Sequence, residues 1–148
     1  MAVPVHPVDY YHAAQERMTE ASLLRREGHY PIAMYVAGAA VECMLRAYHL
    51  GDAEFDEKHD IVQLFKGCDF DRLGDVARRQ LQGPVQTVRL LWQNRFRFFS
   101  ESRLSAHIKA LGQHQRGVYR GASFLKVRST ELEDACLLIV SIGVARWH

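Results

Sequence analysis

Apolar residues recur every three or four positions along much of the chain, which is the spacing of one face of an α-helix. Over about residues 9–27 this face would consist of Tyr10, Ala14, Met18, Ala21 and Leu24. Gly28 ends this predicted helix, and Pro31 suits the first turn of a second helix that extends to about Leu50. No strand-like alternation and no internal repeat is visible, so the pattern predicts an all-α fold.

The remainder of the chain predicts several shorter helices separated by turn residues. They are expected at about residues 60–66, 71–81, 85–99, 103–111 and 131–147. Gly83-Pro84 predicts a break between the second and third of these, and Thr130 with Glu133 predicts a capping box before the last. Residues 112–127 are predicted to form a loop. We therefore expect a single domain, residues 1–148, built as an up-and-down bundle of about five main helices.

The second helix is apolar enough to require burial, yet it contains Glu42 and Arg46 four residues apart. In one arrangement these two residues form an ordinary i,i+4 ion pair. In the other, Glu42 points inward and pairs with Arg95 as part of a structural polar core. We favour the second arrangement, because Arg95 shares a predicted helix face with Leu91 and Trp92 and needs an anion if it is buried.

The composition narrows the class of protein. The chain has 148 residues, a formal charge of +2 and three cysteines, Cys43, Cys68 and Cys136, which form no CxxC pair. Widely spaced thiols in apolar stretches suit a reducing environment. No signal peptide is predicted at the N-terminus, and the longest apolar stretch is too short to span a bilayer. These features predict a cytoplasmic protein with no membrane association.

The spacing of ligand-type residues predicts neither a metal site nor a cofactor, because no paired His or Cys motif and no phosphate-binding glycine loop is present. RNA cleavage without a metal needs a cation for the phosphate and an imidazole for proton transfer. Arg103 and His107 lie four residues apart on one predicted helix face, so they are the candidate catalytic pair. Alternatively, Arg103 is an ordinary surface residue beside a histidine that packs with Leu104 and Leu111.

Aromatic and basic residues cluster over residues 92–99, a composition that could stack on and neutralise single-stranded RNA. At helical spacing such aromatics more often belong to a core or a dimer surface, and we favour that interpretation. Most acidic residues lie in the N-terminal half, which leaves the C-terminal half basic and favours a polyanionic partner. Arg97, Arg116 and Arg120 are the candidate binding residues.

Several short motifs together resemble the HEPN family, the higher eukaryote and prokaryote nucleotide-binding domains. They are Gly28-His29-Tyr30 followed by Ala33, then Ala37-Gly38, Val41-Glu42, Leu45-Arg46, His59-Asp60-Ile61 with Leu64, and Trp92 with Arg95. The resemblance implies an all-α bundle that dimerises, is often found beside a nucleotidyltransferase, and is an RNase in many members.

The nuclease members of that family carry an arginine, four to six intervening residues, and then a histidine. No histidine in this chain has an arginine at that interval; Arg103 and His107 have only three residues between them. We therefore expect a nucleotide- or RNA-associated accessory or toxin-type module, a homodimer that acts with a nucleotidyltransferase or another effector and has no activity of its own. The alternative is a metal-independent endoribonuclease that uses Arg103 and His107.

Overall fold

A computed structural model describes residues 3–49, 59–68, 70–112 and 122–147, apart from the side chains of residues 70–73 and 122–123. These ranges contain helices and turns and no β-strand, which confirms the predicted all-α fold. The helices are α1 (Pro7–Arg26), α2 (Tyr30–Ala47), α3 (Ile61–Lys66), α4 (Phe70–Leu91), a 3-10 helix (Asn94–Phe98), α5 (Glu101–Ala110) and α6 (Ala122–Arg146). None of the described helices combines the length and apolar character needed to cross a membrane.

The first two helices form an antiparallel hairpin close to the predicted boundaries. The backbone N–H of His6 donates to the Asp9 carboxylate at 2.8 Å, which closes a capping box at the start of α1. Gly28 follows the end of α1 with a φ of +82°, and Pro31 lies in the first turn of α2. Both predicted boundaries are therefore confirmed.

Helix α2 lies at the centre of the bundle and contacts α1, α3, α5, α6 and the 3-10 helix. Its small residues admit an aromatic side chain: a Cβ at Gly38 would overlap the indole of Trp92. The Trp92 indole N–H donates to the Tyr35 carbonyl at 3.1 Å, which fixes the ring in this position. On another side, the Tyr48 hydroxyl donates to the Gly143 carbonyl at 2.6 Å and ties α2 to α6.

Helix α4 corrects the predicted break at Gly83-Pro84, because it continues through both residues. Ala77, Leu81, Val85 and Val88 form one buried face that passes across this position. Packing of that face outweighs the hydrogen bond that proline cannot donate. The non-helical residue of α4 is instead Gly74, whose φ of 79° and ψ of 160° suit glycine far better than residues with a Cβ.

The predicted helix 85–99 is also wrong in its second half. Helix α4 ends at Leu91, and the chain becomes extended at Gln93 before the 3-10 helix begins. The extended residue allows Trp92 and Phe96, both buried, to enter the core from a chain that is no longer α-helical. Residues 95–99 therefore face other directions than a continuous helix would give them.

Helix α6 begins at Ala122, well before the predicted start at Glu131, so the last part of the predicted loop is helical. Phe124 and Leu125 are fully buried, and packing of these residues explains the longer helix. The capping box predicted at Thr130 and Glu133 is wrong, because Thr130 lies inside α6 and donates to the Lys126 carbonyl at 2.7 Å. Residues 113–121 of the predicted loop lie outside the described ranges.

Candidate basic surface and polar pocket

Phe99 is the centre of a group of arginines at the junction of the 3-10 helix and α5. The Arg103 guanidinium carbon lies 4.8 Å from the centroid of the Phe99 ring, and that of Arg95 lies 5.8 Å from it. Beside them, the Arg97 guanidinium carbon lies 4.7 Å from the centroid of Phe98. These distances are typical of cation–π contacts. We call Arg95, Arg97, Phe98, Phe99 and Arg103 the arginine–phenylalanine surface.

Local structure explains why this surface is exposed. The Ser100 hydroxyl accepts a hydrogen bond from the Arg103 backbone N–H at 3.2 Å and caps α5 directly after Phe99. Phe96 is buried and anchors the 3-10 helix, whereas Phe98 points outward and is 76% exposed. A cavity of about 270 Å³ adjoins the surface and is lined by Gly28, His29, Pro31, Ile32, Phe96, Arg97, Phe99 and Glu101.

His107 lies beneath this surface and is only 7% exposed. Its ring meets Phe96 and Phe99 edge-on, with centroid distances of 5.5 and 5.6 Å. Its Nε2 atom is buried and has no hydrogen-bond partner. Burial lowers the pKa of His107, and the positive charges of Arg95 and Arg103 lower it further. The side chain is therefore held neutral at pH 7.

The structure places Arg103 and His107 on one face of α5, as their spacing predicts, and both contact Phe99, but at different depths. Arg103 is exposed, whereas His107 is buried. The phenylalanine between them was not predicted as a site residue. Its position depends on the extended residue Gln93, for which the sequence offers no signal.

The predicted pairing of Glu42 with Arg95 is wrong. Arg95 is exposed and its Nε donates to the Gln93 side chain at 2.5 Å, because α4 has already ended. Glu42 instead pairs with Arg46, at 3.5 Å from its Nε, so the i,i+4 alternative describes the molecule. Arg46 is buried, and this polar pair lies at the edge of the core.

A second partner of Glu42 was not predicted. His59 Nδ1 lies 2.6 Å from Glu42 Oε1, and the backbone of His59 has a φ of +51°. These residues are 17 positions apart, so no local pattern could pair them. His59 lines a polar cavity of about 320 Å³ together with Asp60, Ile61, Arg89, Trp92, Gln93 and Asn94. We call this cavity the His59 pocket.

The remaining predicted site residues are distributed as follows. Arg97 is exposed on the arginine–phenylalanine surface, whereas Arg116 and Arg120 lie outside the described residues. All three cysteines are free thiols, and burial raises the pKa of Cys43 to about 11. In the described part of the chain, no group of three or more His, Cys, Asp and Glu side chains is placed to hold a metal ion.

The family model of the HEPN domain matches residues 8–91, which is more than half of the chain. The chain belongs to the HEPN family. This HEPN match runs from the start of α1 to the end of α4 and includes Glu42, His59 and Arg89. Comparison with curated proteins and with solved structures gave no significant match.

The boundaries of the match separate the two candidate sites. The His59 pocket is formed largely by residues within the matched HEPN region, with Trp92, Gln93 and Asn94 just beyond it. The arginine–phenylalanine surface and His107 lie entirely after it. Membership of the HEPN family therefore supports the fold of the first four helices and assigns no role to Arg103 or His107.

Proposed function

We propose that this HEPN protein is an accessory or toxin-type module that binds RNA or nucleotides through the arginine–phenylalanine surface, without cleaving RNA itself. The observation that carries the proposal is the exposed ring of Phe98, which contacts Arg97. The adjacent ring of Phe99 contacts both Arg95 and Arg103. HEPN domains are generally related to nucleotides or RNA, which agrees with this chemistry.

The surface has the two components that single-stranded nucleic acid requires. An exposed aromatic ring can stack on a base, and arginines can neutralise the adjacent phosphates. The adjoining cavity offers space beside Arg97 and Phe99 for part of a nucleotide. The basic residues of the C-terminal half would extend the positive field that attracts a polyanion.

The position of His107 argues against catalysis. A general acid or base must come within hydrogen-bonding distance of the proton that it transfers. The buried Nε2 of His107 lies behind Phe96 and Phe99, where an RNA strand on the surface does not reach it. The lowered pKa of His107 also leaves it without the proton that a general acid must donate at pH 7.

Binding of a fluorescent single-stranded RNA, measured by anisotropy at several salt concentrations, tests the proposal. Phe98→Ala should weaken binding about 5- to 100-fold through lost stacking. Arg97→Gln and Arg103→Gln should each weaken it and reduce the slope of log K against log salt by about 0.7 per lost phosphate contact. Arg79→Gln, an exposed arginine on α4, is the matched control and should change little. Equal effects of the Arg79 and Arg97 variants would contradict the proposal.

The second candidate function is the metal-independent endoribonuclease, favoured by the shared contact of Arg103 and His107 with Phe99. Incubation of wild-type protein with single-stranded RNA in EDTA should leave the RNA intact. Cleavage that disappears in both Arg103→Ala and His107→Ala, with helical content retained, would establish the nuclease and replace the accessory module.

The resemblance to HEPN proteins found beside nucleotidyltransferases supports a protein partner of that kind, and the assembly we propose is a homodimer. Helix α6 supports self-association, because Leu137 and Leu138 are 47% and 45% exposed although neighbouring α6 residues are buried. Exposed apolar residues on a helix are suited to a symmetric interface.

A further inference from the structure

We infer that the His59 pocket binds the phosphate group of a small phosphate ester. The pocket shares no residue with the arginine–phenylalanine surface, although Gln93 of its lining accepts a hydrogen bond from Arg95 of that surface. Its volume of about 320 Å³ lies within the range of small-ligand sites and exceeds the space that a phosphate group alone would fill. The inference stands on the orientation of His59, on the donors that line the cavity and on the position of Arg89.

The orientation of His59 is set by Glu42. Because the carboxylate accepts a hydrogen bond from Nδ1 at 2.6 Å, the other ring nitrogen, Nε2, remains for a ligand. Arg46 Nε lies 3.5 Å from the second carboxylate oxygen and opposes movement of Glu42. The backbone of His59 is held at a φ of +51°, an uncommon conformation that often accompanies a functional position.

Either protonation state of His59 suits a phosphate. A neutral ring with its hydrogen on Nδ1 can accept a hydrogen bond at Nε2 from the O–H of a phosphate monoanion. A protonated ring donates from Nε2 to a phosphate oxygen and adds a positive charge. A carboxylate ligand, ionised at neutral pH, could use only the second of these arrangements.

The other lining residues provide donors. Arg89, in the last turn of α4, is exposed and lines the cavity, so its side chain can supply a guanidinium to a ligand there. The Gln93 side-chain oxygen already accepts from Arg95, so its amide NH2 is the group left to donate. Asn94 contributes a second side-chain amide to the lining. A tetrahedral group with several acceptor oxygens matches this set of donors better than a planar or apolar ligand.

Asp60 is the acidic residue among those that line the pocket, and it provides a test of whether the ligand is negatively charged. As the N-cap of α3, its Oδ1 accepts hydrogen bonds from the backbone N–H groups of Val62 and Gln63, at 3.0 and 3.2 Å. Its negative charge opposes an anionic ligand. Asparagine caps a helix about as well as aspartate, so Asp60→Asn removes the charge while it preserves the cap.

Nuclear magnetic resonance titration of the full chain, observed at the imidazole signals of His59, tests the inference with two probes. Inorganic phosphate reports on the phosphate group alone, and ribose 5-phosphate reports on the ester. Both should shift the His59 signals in a saturable manner. Tighter binding of ribose 5-phosphate identifies the ester as the ligand, whereas tighter binding of inorganic phosphate would overturn the choice of an ester.

Four variants test whether the charges that line the His59 pocket control this binding. Arg89→Gln should weaken binding of ribose 5-phosphate about tenfold or more, since a charge-assisted hydrogen bond is lost. Asp60→Asn should tighten binding, and Arg79→Gln, on the same helix as Arg89, should leave it unchanged. Phe98→Ala should also leave it unchanged, so failure here is distinguishable from failure of the RNA-binding proposal. Tighter binding by Arg89→Gln together with weaker binding by Asp60→Asn would overturn the inference. So would His59 signals that do not shift in the wild type.

Discussion

Two glycines within helices of this HEPN protein have opposite surroundings. A Cβ at Gly38 in α2 would overlap the Trp92 indole, whereas a Cβ at Gly83 in α4 would meet no atom within 4 Å beyond its neighbours in the chain. Helix propensity alone favours alanine at either position by roughly 1 kcal/mol. The two sites therefore separate the effect of packing from the effect of propensity.

We expect Gly38→Ala to lower the free energy of unfolding by about 1–3 kcal/mol, because the indole is held by its hydrogen bond to Tyr35 and cannot move freely. Gly83→Ala is the matched control. Its gain in helix propensity, up to about 1 kcal/mol, is partly offset by the contact of the new Cβ with the Pro84 ring, so the free energy of unfolding should change by less than that. Urea unfolding followed by circular dichroism measures both. A stabilised Gly38→Ala protein would mean that Trp92 does not rest on α2.

His107 should make the protein sensitive to mild acid. Its pKa in the folded state is lower than the ordinary value of 6.5, so the unfolded chain binds a proton more readily. Its contribution to stability is complete above pH 6.5. As the pH falls below 6.5, that contribution decreases by up to about 1.4 kcal/mol per pH unit until the folded pKa is reached.

Urea unfolding of the wild type and of His107→Leu between pH 8 and pH 5 measures this difference. The wild type should lose stability more steeply than the variant below pH 6.5, while the other histidines contribute alike to both proteins. Parallel pH profiles would show that His107 is hydrated and able to protonate, which would also restore it as a candidate acid.

At the scale of single residues, spacing in the sequence predicts contacts within one helix but not contacts between distant segments. The spacing of Arg103 and His107 places them on one helix face, and both contact Phe99. The partner of Glu42 across the sequence could not be predicted, because it depends on where α4 ends and where His59 is placed. Arg95 was assigned to the core on the assumption of a continuous helix, and the extended residue Gln93 invalidates that assumption.

At the scale of single elements, Pro84 shows how a buried face can outweigh a local break signal. Replacement of Pro84 by alanine should restore a backbone donor inside α4 and remove a helix cost of about 3 kcal/mol. The unfolded chain gains up to about 1 kcal/mol of conformational freedom in the same variant. The net result should be an increase of about 1–2 kcal/mol in the free energy of unfolding.

Thermal unfolding and amide hydrogen exchange along α4 check the Pro84→Ala protein. Slower exchange on both sides of residue 84 is the expected result. Decreased stability, or exchange that remains fast there, would indicate two separate helices, as the Gly83-Pro84 dipeptide alone suggests.

Helix α6 illustrates the same point from its other side. Thr130 and Glu133 have the spacing of a capping box, but both residues make other contacts in a longer helix. Glu133 pairs with Arg25 and accepts a hydrogen bond from the Ser22 hydroxyl at 2.6 Å, both on α1. Capping residues predict a helix start only where no buried helical turn precedes them. Here the buried Phe124 and Leu125 form a helical turn before Thr130.

At the scale of the whole molecule, the all-α class and the HEPN family could be predicted from the sequence, because apolar periodicity and short motifs extend through the first helices. The surfaces that would bind partners could not be predicted to the same degree. These surfaces depend on which apolar residues remain exposed after the core has packed. Most residues of α2 are buried in the core, whereas α6 has both buried leucines, such as Leu132, and the exposed Leu137 and Leu138.

The exposed face of α6 leads to the last prediction, which concerns assembly. If Leu137 and Leu138 pack against the same residues of a second copy, charge at these positions should oppose association, because two like charges would meet across the symmetry axis. Light scattering of the wild type at micromolar concentration should give twice the monomer mass of 17.0 kDa, and Leu137→Glu/Leu138→Glu should give the monomer mass. Leu90→Glu changes an exposed leucine on α4 and is the control that should remain dimeric. A monomeric wild type would eliminate the dimer, and a monomeric Leu90→Glu protein would move the interface from α6 to α4.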